Sequence, residues 1–388
     1  MKFGVFLFSF TIMTRIFLLL PYFLFIQNSF SQQFYIRGRV TDAETQLLLK
    51  GASVYINNTT IGTITDDNGN FELGPFQPGR YEVVASYVGY DALLYPAEIK
   101  SSGIRITFKL EKKEEVLREV LVLSSELRKY YLDIFKKYVI GVSVAADHCQ
   151  IKNFEEVQFA SGETKDEIVA YTEKALVIEN PELGYTIHFD LIVFYYNKVT
   201  TGAYFYGYTR FIDWGKDEQT KKKWIRKRRQ AYEGSTVHFF RSLVNKQLTK
   251  EGFTVYQLIN LQKEKSDTAR VQVISQKTNA GMQMTTKAIE DSMIRIYPDS
   301  VYRIYELRVH DGWRVFYEKN TDLKLEIIRK TFLVGQPLTG TVSGLRLREE
   351  PVLINARGII LTPIRLFYDG IWGYERLANM LPENYEVK

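Results

Sequence analysis

The sequence predicts a mainly β protein: a small N-terminal β-sandwich with Greek-key connections, then an α+β domain with a large antiparallel sheet and two or three helices. Three observations predict it. Short alternating runs separated by turn residues follow one another at nearly even spacing from Phe34 to Leu110. Longer alternation returns after residue 150, above all in Tyr185, Ile187, Phe189, Leu191, Val193 and Tyr195. Aromatic residues make up 14% of the 388, with 26 Tyr and 25 Phe against 10 Pro, which favours packed structure over disorder.

Residues 1–31 read as an export signal. Lys2 and Arg15 flank or precede an apolar run from Ile16 to Ile26, and Ser29 and Ser31 stand at −3 and −1 of a cut before Gln32. Arg15 lengthens the charged region, so an uncleaved anchor over Phe3 to Ile26 is the alternative. Loss of Lys2 and Arg15 takes the formal charge from +6 to +4, a mild balance that suits acidic surfaces and does not indicate nucleic acid. The single cysteine, Cys149, rules out an internal disulfide, so an exported chain must rely on its cores. The expected location is the periplasm or the outer-membrane surface.

From the start, Phe34 to Val40 is a strand, Gly51 to Asn57 a second and Thr60 to Thr65 a third. Asp66-Asp67-Asn68-Gly69 turns the chain into Asn70 to Leu73, and Pro78-Gly79 turns it into Arg80 to Val88. Ile104 to Leu110 closes a set of six or seven strands. Pro78-Gly79-Arg80-Tyr81 has the form of a tyrosine corner, in which Tyr81 returns its hydroxyl to an upstream backbone group.

These residues carry a resemblance. Gly38-Arg39-Val40-Thr41-Asp42, Gly51-Ala52-Ser53-Val54, Gly62-Thr63-Ile64-Thr65-Asp66 with Gly69 and Phe71, Pro78-Gly79-Arg80-Tyr81 and Ser86-Tyr87-Val88-Gly89-Tyr90 stand in one order. That order resembles the carboxypeptidase regulatory-like domain, a prealbumin-like β-sandwich of exported Bacteroidetes-type proteins, also found at the N-terminus of their TonB-dependent outer-membrane transporters. The resemblance spans about residues 34–123 and departs at Leu49-Lys50, where the family has Pro-Leu. It implies an accessory, non-catalytic sandwich. It does not extend to a transporter: the roughly 265 residues after Val122 cannot build a 22-stranded barrel at about ten residues per strand. The expected organisation is therefore a signal peptide at 1–31, the sandwich at 32–123 and an α+β domain at 124–388.

Beyond a charged connector, Glu111 to Glu119, Ser124 or Ser125 caps a helix to about Val139, with an apolar stripe of Leu127, Tyr130, Tyr131, Ile134, Phe135 and Tyr138. Strands are expected over Glu167 to Ile178, Tyr185 to Tyr195 and Ala203 to Phe211. Two helices follow, Asp217 to Glu233 and Ser235 to Gly252, the second burying Val237, Phe240, Val244 and Leu248. Strands return at Thr254 to Leu258, Ala269 to Ile274, Met293 to Tyr297, Val301 to His310, Trp313 to Glu318 and Leu323 to Val334, with Asp311-Gly312 as a hairpin turn and a last helix over Gly370 to Leu381. Asn180 to Tyr185, Arg229 to Leu243 and Ala378 to Tyr385 are similar to segments of exported proteins that carry the same sandwich, which implies no activity.

No catalytic constellation stands out. A zinc carboxypeptidase needs His-x-x-Glu with a distant His, and the +3 positions of the four histidines hold Ile151, Leu191, Arg241 and Trp313. No cofactor or metal is expected. Gly141-Val142-Ser143-Val144-Ala145 lacks the last glycine of a nucleophile elbow and follows a helix. Cys149 beside His148 is a nucleophile pair in sequence only, because adjacent residues rarely face each other. The Asp66 run is too short for a calcium loop and reads as a turn. Lys221 to Arg229 places seven cations in nine positions, a solvated helix face or a contact for acidic lipid headgroups or an acidic partner.

The best polar set is Arg229, Tyr232, Ser235, His238 and Arg241, with His238 either an acid-base group or a satisfied interface residue. The main reading is a non-enzymatic exported interaction or binding module at the cell envelope, its partner an envelope protein or a surface glycan. A hydrolase with its site at His238 is the alternative. A glycan-binding surface, with Tyr204, Tyr206 and Tyr208 as a solvent-facing stripe, is the third.

Overall fold

Strand β1 (Phe34–Asp42) lies so close to β7 (Ile104–Leu110) that a Cβ on Gly38 would sit 1.8 Å from the Ile106 carbonyl oxygen. The first glycine of the motif series is there for backbone contact. β1 pairs in parallel with β7 and antiparallel with β4 (Asn70–Phe76). The facing sheet has the order β3 (Gly62–Ile64), β2 (Ser53–Ile56), β5 (Gly79–Ser86), β6 (Leu93–Ile99). Ile36, Val40, Val54, Phe71, Val83, Ile99 and Phe108 fill the space between the sheets, each contributing roughly 1.5–3 kcal/mol by leaving water. Tyr81 donates to the Gln77 carbonyl at 2.8 Å, the expected tyrosine corner. β6 went unforeseen because Pro96 interrupts its pattern. It is an edge strand, where a missing N–H costs little.

The computed structural model describes residues 33–113, 121, 123–215, 218–260, 273–274, 282–285, 294–296, 304–309, 312–319, 340–347, 351–362 and 365–387. The export segment and the strand expected at Leu323 to Val334 lie outside them.

The next sheet is organised around β12 (Tyr185–Asn197). One edge of β12 pairs along its length with β13 (Ala203–Asp213). The other is shared by β11 (Leu176–Asn180) and β10 (Glu167–Tyr171), which extend to β8 (Gln150–Ile151) and β9 (Gln158–Ser161). The run expected as one strand, Glu167 to Ile178, is thus two. The alternation of β12 is also corrected: a bulge at Leu191 to Val193 shifts the parity, so Phe194 and Tyr196 turn inward and Tyr195 turns out to Glu167. Gly207 stands opposite the bulge, where a Cβ would lie 2.4 Å from the Asp190 carbonyl oxygen.

Helix α1 (Ser125–Val139), capped by the Ser124 hydroxyl, covers one face of this sheet. Its buried line is Tyr131, Phe135 and Val139, narrower than the predicted stripe; Leu127 and Tyr130 are exposed. A short α2 (Val144–His148) follows.

Helices α3 (Glu218–Tyr232), α4 (Thr236–Val244) and α5 (Leu248–Glu251) lead to the second six-stranded sheet. The expected second helix breaks at Asn245, and it buries Phe239 and Phe240 where Val237 and Leu248 are only partly covered. The sheet order is β15 (Val273–Ile274), β16 (Met282–Thr285), β14 (Phe253–Asn260), β19 (Trp313–Tyr317), β20 (Thr341–Leu347), β22 (Leu366–Gly370). A three-stranded sheet holds β17 (Ile294–Ile296), β18 (Tyr305–Leu307) and β21 (Leu353–Ile354). Among the described residues after 123, the antiparallel β structure is therefore divided between sheets with two cores. Strands β18 and β19 do not form the hairpin expected across Asp311-Gly312: β19 has β14 and β20 on its two edges, and β18 pairs with β17 and β21. The last helix shrinks to α6 (Ile371–Tyr374). After it, Leu377 and Ala378 donate to Val139 and Ile140, and the chain returns to the first core.

Candidate functional site at the sandwich junction

The sequence-predicted set is mostly a packing unit. α3 stops at Gly234, and Ser235 caps α4 by accepting from the His238 N–H at 3.2 Å. His238 is buried, and its Nδ1 accepts from the Gly234 N–H at 3.1 Å. That leaves the proton on Nε2, 3.4 Å from Glu251 Oε2. Its ring packs on Tyr232, Phe253 and Tyr317, and desolvation pulls its pKa below the usual value. Arg241 donates to the carbonyls of Glu383 (2.9 Å), Tyr385 (3.1 Å) and Arg357 (3.2 Å). Arg229 stands exposed on α3. So four of the five meet, and they tie helix to C-terminal segment; none lines the cleft described below.

Other sequence candidates also resolve into structural roles. Cys149 is buried and its thiol is pushed up to about 12 by desolvation. Ser143 caps α2 and donates to Asn379. Asp66 Oδ1 accepts from the N–H groups of Asn68 and Asn70, closing the turn. The basic stretch is not uniformly solvated: Arg228 turns inward, stacks 3.8 Å over Tyr185, and bonds Asp213 and the carbonyls of Leu183 and Gly184. Among the described residues no group of three or more His, Cys, Asp or Glu is arranged to hold a metal.

The polar residues that gather are elsewhere. The outer face of β12 and β13 carries the sandwich. Asp190 accepts from Tyr55 (2.6 Å) and Ser86 (2.5 Å), and Arg210 donates to Ser53 at 3.0 Å. Backbone bonds from Asn58 to Thr209 and from Phe211 to Thr59 continue the contact. Tyr206 and Tyr208 are half-buried beside it, their hydroxyls raised by desolvation, so the tyrosines do not form an exposed stripe.

The C-terminal segment closes the third side. The Glu383 N–H donates to the Asn58 carbonyl at 2.7 Å, and Asn384 bonds Thr60. Between the β2–β3 turn, β5, β6, residues 353–362 and residues 383–384 lies a cleft of about 500 Å³. Ile61, Ile304, Ile359 and Leu361 form an apolar wall; Glu82 and Glu383 supply carboxyls, and Arg80 and Arg357 stand exposed at its mouth. Asn57 donates to Glu82 at 2.8 Å and Asn58 to Glu383 at 3.3 Å. Thr209 bonds the oxygen of each amide, so both present N–H to the carboxyls. Desolvation, then repulsion from Glu82, pushes Glu383 up to about 8; desolvation raises Glu82 as well. No sequence pattern announced this pair, because Glu82 and Glu383 are brought together only by the fold.

The sandwich's seven strands, tyrosine corner and close β1–β7 contact accompany a family match: residues 36–122 fit the CarboxypepD_reg-like domain. The N-terminal sandwich is a CarboxypepD_reg-like domain. Its motif residues lock one another in place. Asp42 accepts from the N–H groups of Glu44 and Thr45 and from Tyr90 at 2.7 Å; these bonds, the Thr45 N–H first, hold its carboxyl down to about 2.

Among curated proteins, the chain is 35% identical over 123 residues to the TonB-dependent receptor SusC of Bacteroides thetaiotaomicron, covering 32% of this chain and 11% of the receptor. The chain thus spans about a tenth of that relative's length. Among solved structures, the shaft pilin SpaA of Lactobacillus rhamnosus GG aligns at 20% identity and TM-score 0.19, over 22% of this chain and 49% of the pilin. Catechol 1,2 dioxygenase of Acinetobacter radioresistens aligns at 15% identity and TM-score 0.19, over 23% of this chain and 55% of the enzyme.

Proposed function

We propose that the protein is a non-enzymatic binding module of the cell envelope, whose ligand enters the cleft between the CarboxypepD_reg-like sandwich and the C-terminal segment. The carrying observation is that cleft: about 500 Å³ assembled from distant parts of the chain, with a few convergent polar groups against an apolar wall. The similarity of the N-terminal third to a Bacteroides receptor supports a secreted or envelope-associated setting, with periplasm or outer-membrane surface as the finer reading. In this reading residues 32–123 are an accessory unit, residues 124–388 the partner that completes the site, and an envelope protein or surface glycan the source of the ligand. The hydrolase reading loses support because His238 and Arg241 are spent on backbone groups.

The test is a pull-down from envelope fractions with residues 32–388, as wild type and as Ala356→Trp. Ala356 is exposed at the cleft, so the indole fills it without entering a core. A component recovered by the wild type and lost with the variant is expected. Equal recovery by both, or none by either, overturns the reading.

A further inference from the structure

The cleft's chemistry narrows its ligand, an inference that rests on the binding reading above. Glu82 on β5 and Glu383 near the C-terminus are 301 positions apart in sequence, yet both line one cavity and repel one another. Each carboxyl has one side-chain donor among the described residues, Asn57 or Asn58. Glu383 takes its side-chain bond on Oε1 and lines the cleft, with desolvation the main cause of its raised carboxyl. A carboxylate has about four acceptor positions, and an enclosed one with a single donor is costly. The two Asn amides cannot turn to offer more, because Thr209 holds their oxygens.

We propose that the cleft binds an aliphatic primary ammonium group, shared by Glu82 and Glu383, with its carbon stem against Ile61, Ile304, Ile359 and Leu361. An ammonium brings three donors and the charge that the pair lacks. The apolar wall suits a stem of several methylenes, as in a lysine side chain or a free alkylamine. The charges around the site are Glu82 on β5, Arg241 on α4, and Arg357 beside β21, with Arg80 and Glu98 at the lining. Arg241 spends its N–H groups on the carbonyls of residues 357, 383 and 385 and acts on Glu383 only through its charge, as Arg357 does, so the carboxyl pair keeps its acceptor positions for a further donor. Binding at neutral pH displaces the proton from Glu383 to solvent, while the ligand keeps its own.

The test is calorimetry with residues 32–388 and four probes: n-pentylamine, Nα-acetyl-lysine methylamide, pentan-1-ol and glucose. The amines are expected to bind and the neutral probes not to. A free amine and a lysine side chain are told apart by which of the first two binds more tightly. With one proton displaced, affinity should rise about tenfold from pH 6 to pH 7. Glu383→Gln should fold, lose about tenfold or more in affinity and lose the pH slope; Glu82→Gln should weaken binding likewise. Equal binding of pentan-1-ol, an affinity unaffected by either variant, or no binding of either amine overturns the proposal. Binding of glucose alone also overturns it, yet leaves the binding module intact, which the Ala356→Trp pull-down judges separately.

Discussion

Tyr55 of the sandwich and Asp190 of the neighbouring sheet are joined by a 2.6 Å hydrogen bond in which the buried phenol donates to Oδ2. Ser86 fills the other carboxylate oxygen at 2.5 Å. The sandwich and the neighbouring sheet are thus fastened by a charge-assisted bond. Tyr55→Phe keeps the ring and removes the donor, so it should destabilise the chain by about 1.5–3 kcal/mol. Thermal unfolding of the two proteins checks this. No change in midpoint would mean that the junction is held by the backbone bonds alone.

Gly38 is needed for the approach of β1 to β7. In Gly38→Ala the new methyl would collide with the Ile106 carbonyl oxygen, so the strands must part. A loss beyond about 3 kcal/mol is expected, in the range of severe core strain. Denaturant titration followed by far-ultraviolet dichroism measures it.

Arg241 holds the C-terminal segment by three carbonyls. Arg241→Ala should free residues 382–388 first, with a cost of roughly 2 kcal/mol from lost bonds and stranded carbonyls. Limited proteolysis should then clip the C-terminus in the variant faster than in the wild type. Identical cleavage rates would show that Asn384 and the Glu383 backbone suffice.

Glu383 sets a pH dependence. Its pKa is raised from the usual carboxylate value to about 8, so the folded chain holds a proton that the unfolded chain releases. The stability tied to that proton is full below the unfolded pKa and is lost as pH rises toward about 8. Glu383→Gln keeps an acceptor for Asn58 and removes the titration. The variant should gain on the wild type steadily as pH rises through that window, measured by midpoints from pH 5 to 9. A constant difference between the two would contradict it.

Asp42 works in the opposite direction. Its carboxyl is held down to about 2 by the Thr45 N–H and Tyr90, so its contribution is present above the usual carboxylate range and fades as pH falls toward about 2. Asp42→Asn should flatten the acid limb of the stability profile, read by the same midpoints between pH 2 and 5.

The sandwich was legible because its signals are local. Gly38, Asp42, Gly69, Tyr81 and Tyr90 act within turns or between adjacent strands, and their spacing survives in the sequence. Helix ends marked by Ser124 and Ser235 were legible for the same reason. The alternation of β12 misled after Leu191, because a bulge leaves the residue types unchanged and alters only which face they take. The pairing of β18 with β17 and β21 was hidden because Asp311-Gly312 is as good a turn for a loop as for a hairpin.

By itself, then, the sequence determined the sandwich, the β-rich class and the lack of a zinc carboxypeptidase ligand set. Only the tertiary structure decided what the polar residues do. It turned Arg228 into a core tie and His238 into a packed ring, and it set Glu82 beside Glu383 in a shared cleft. Periodicity and turn chemistry are short-range and print on neighbouring positions. The meeting of two carboxyls from opposite ends of a chain depends on how separate sheets dock, and that is written in no local pattern.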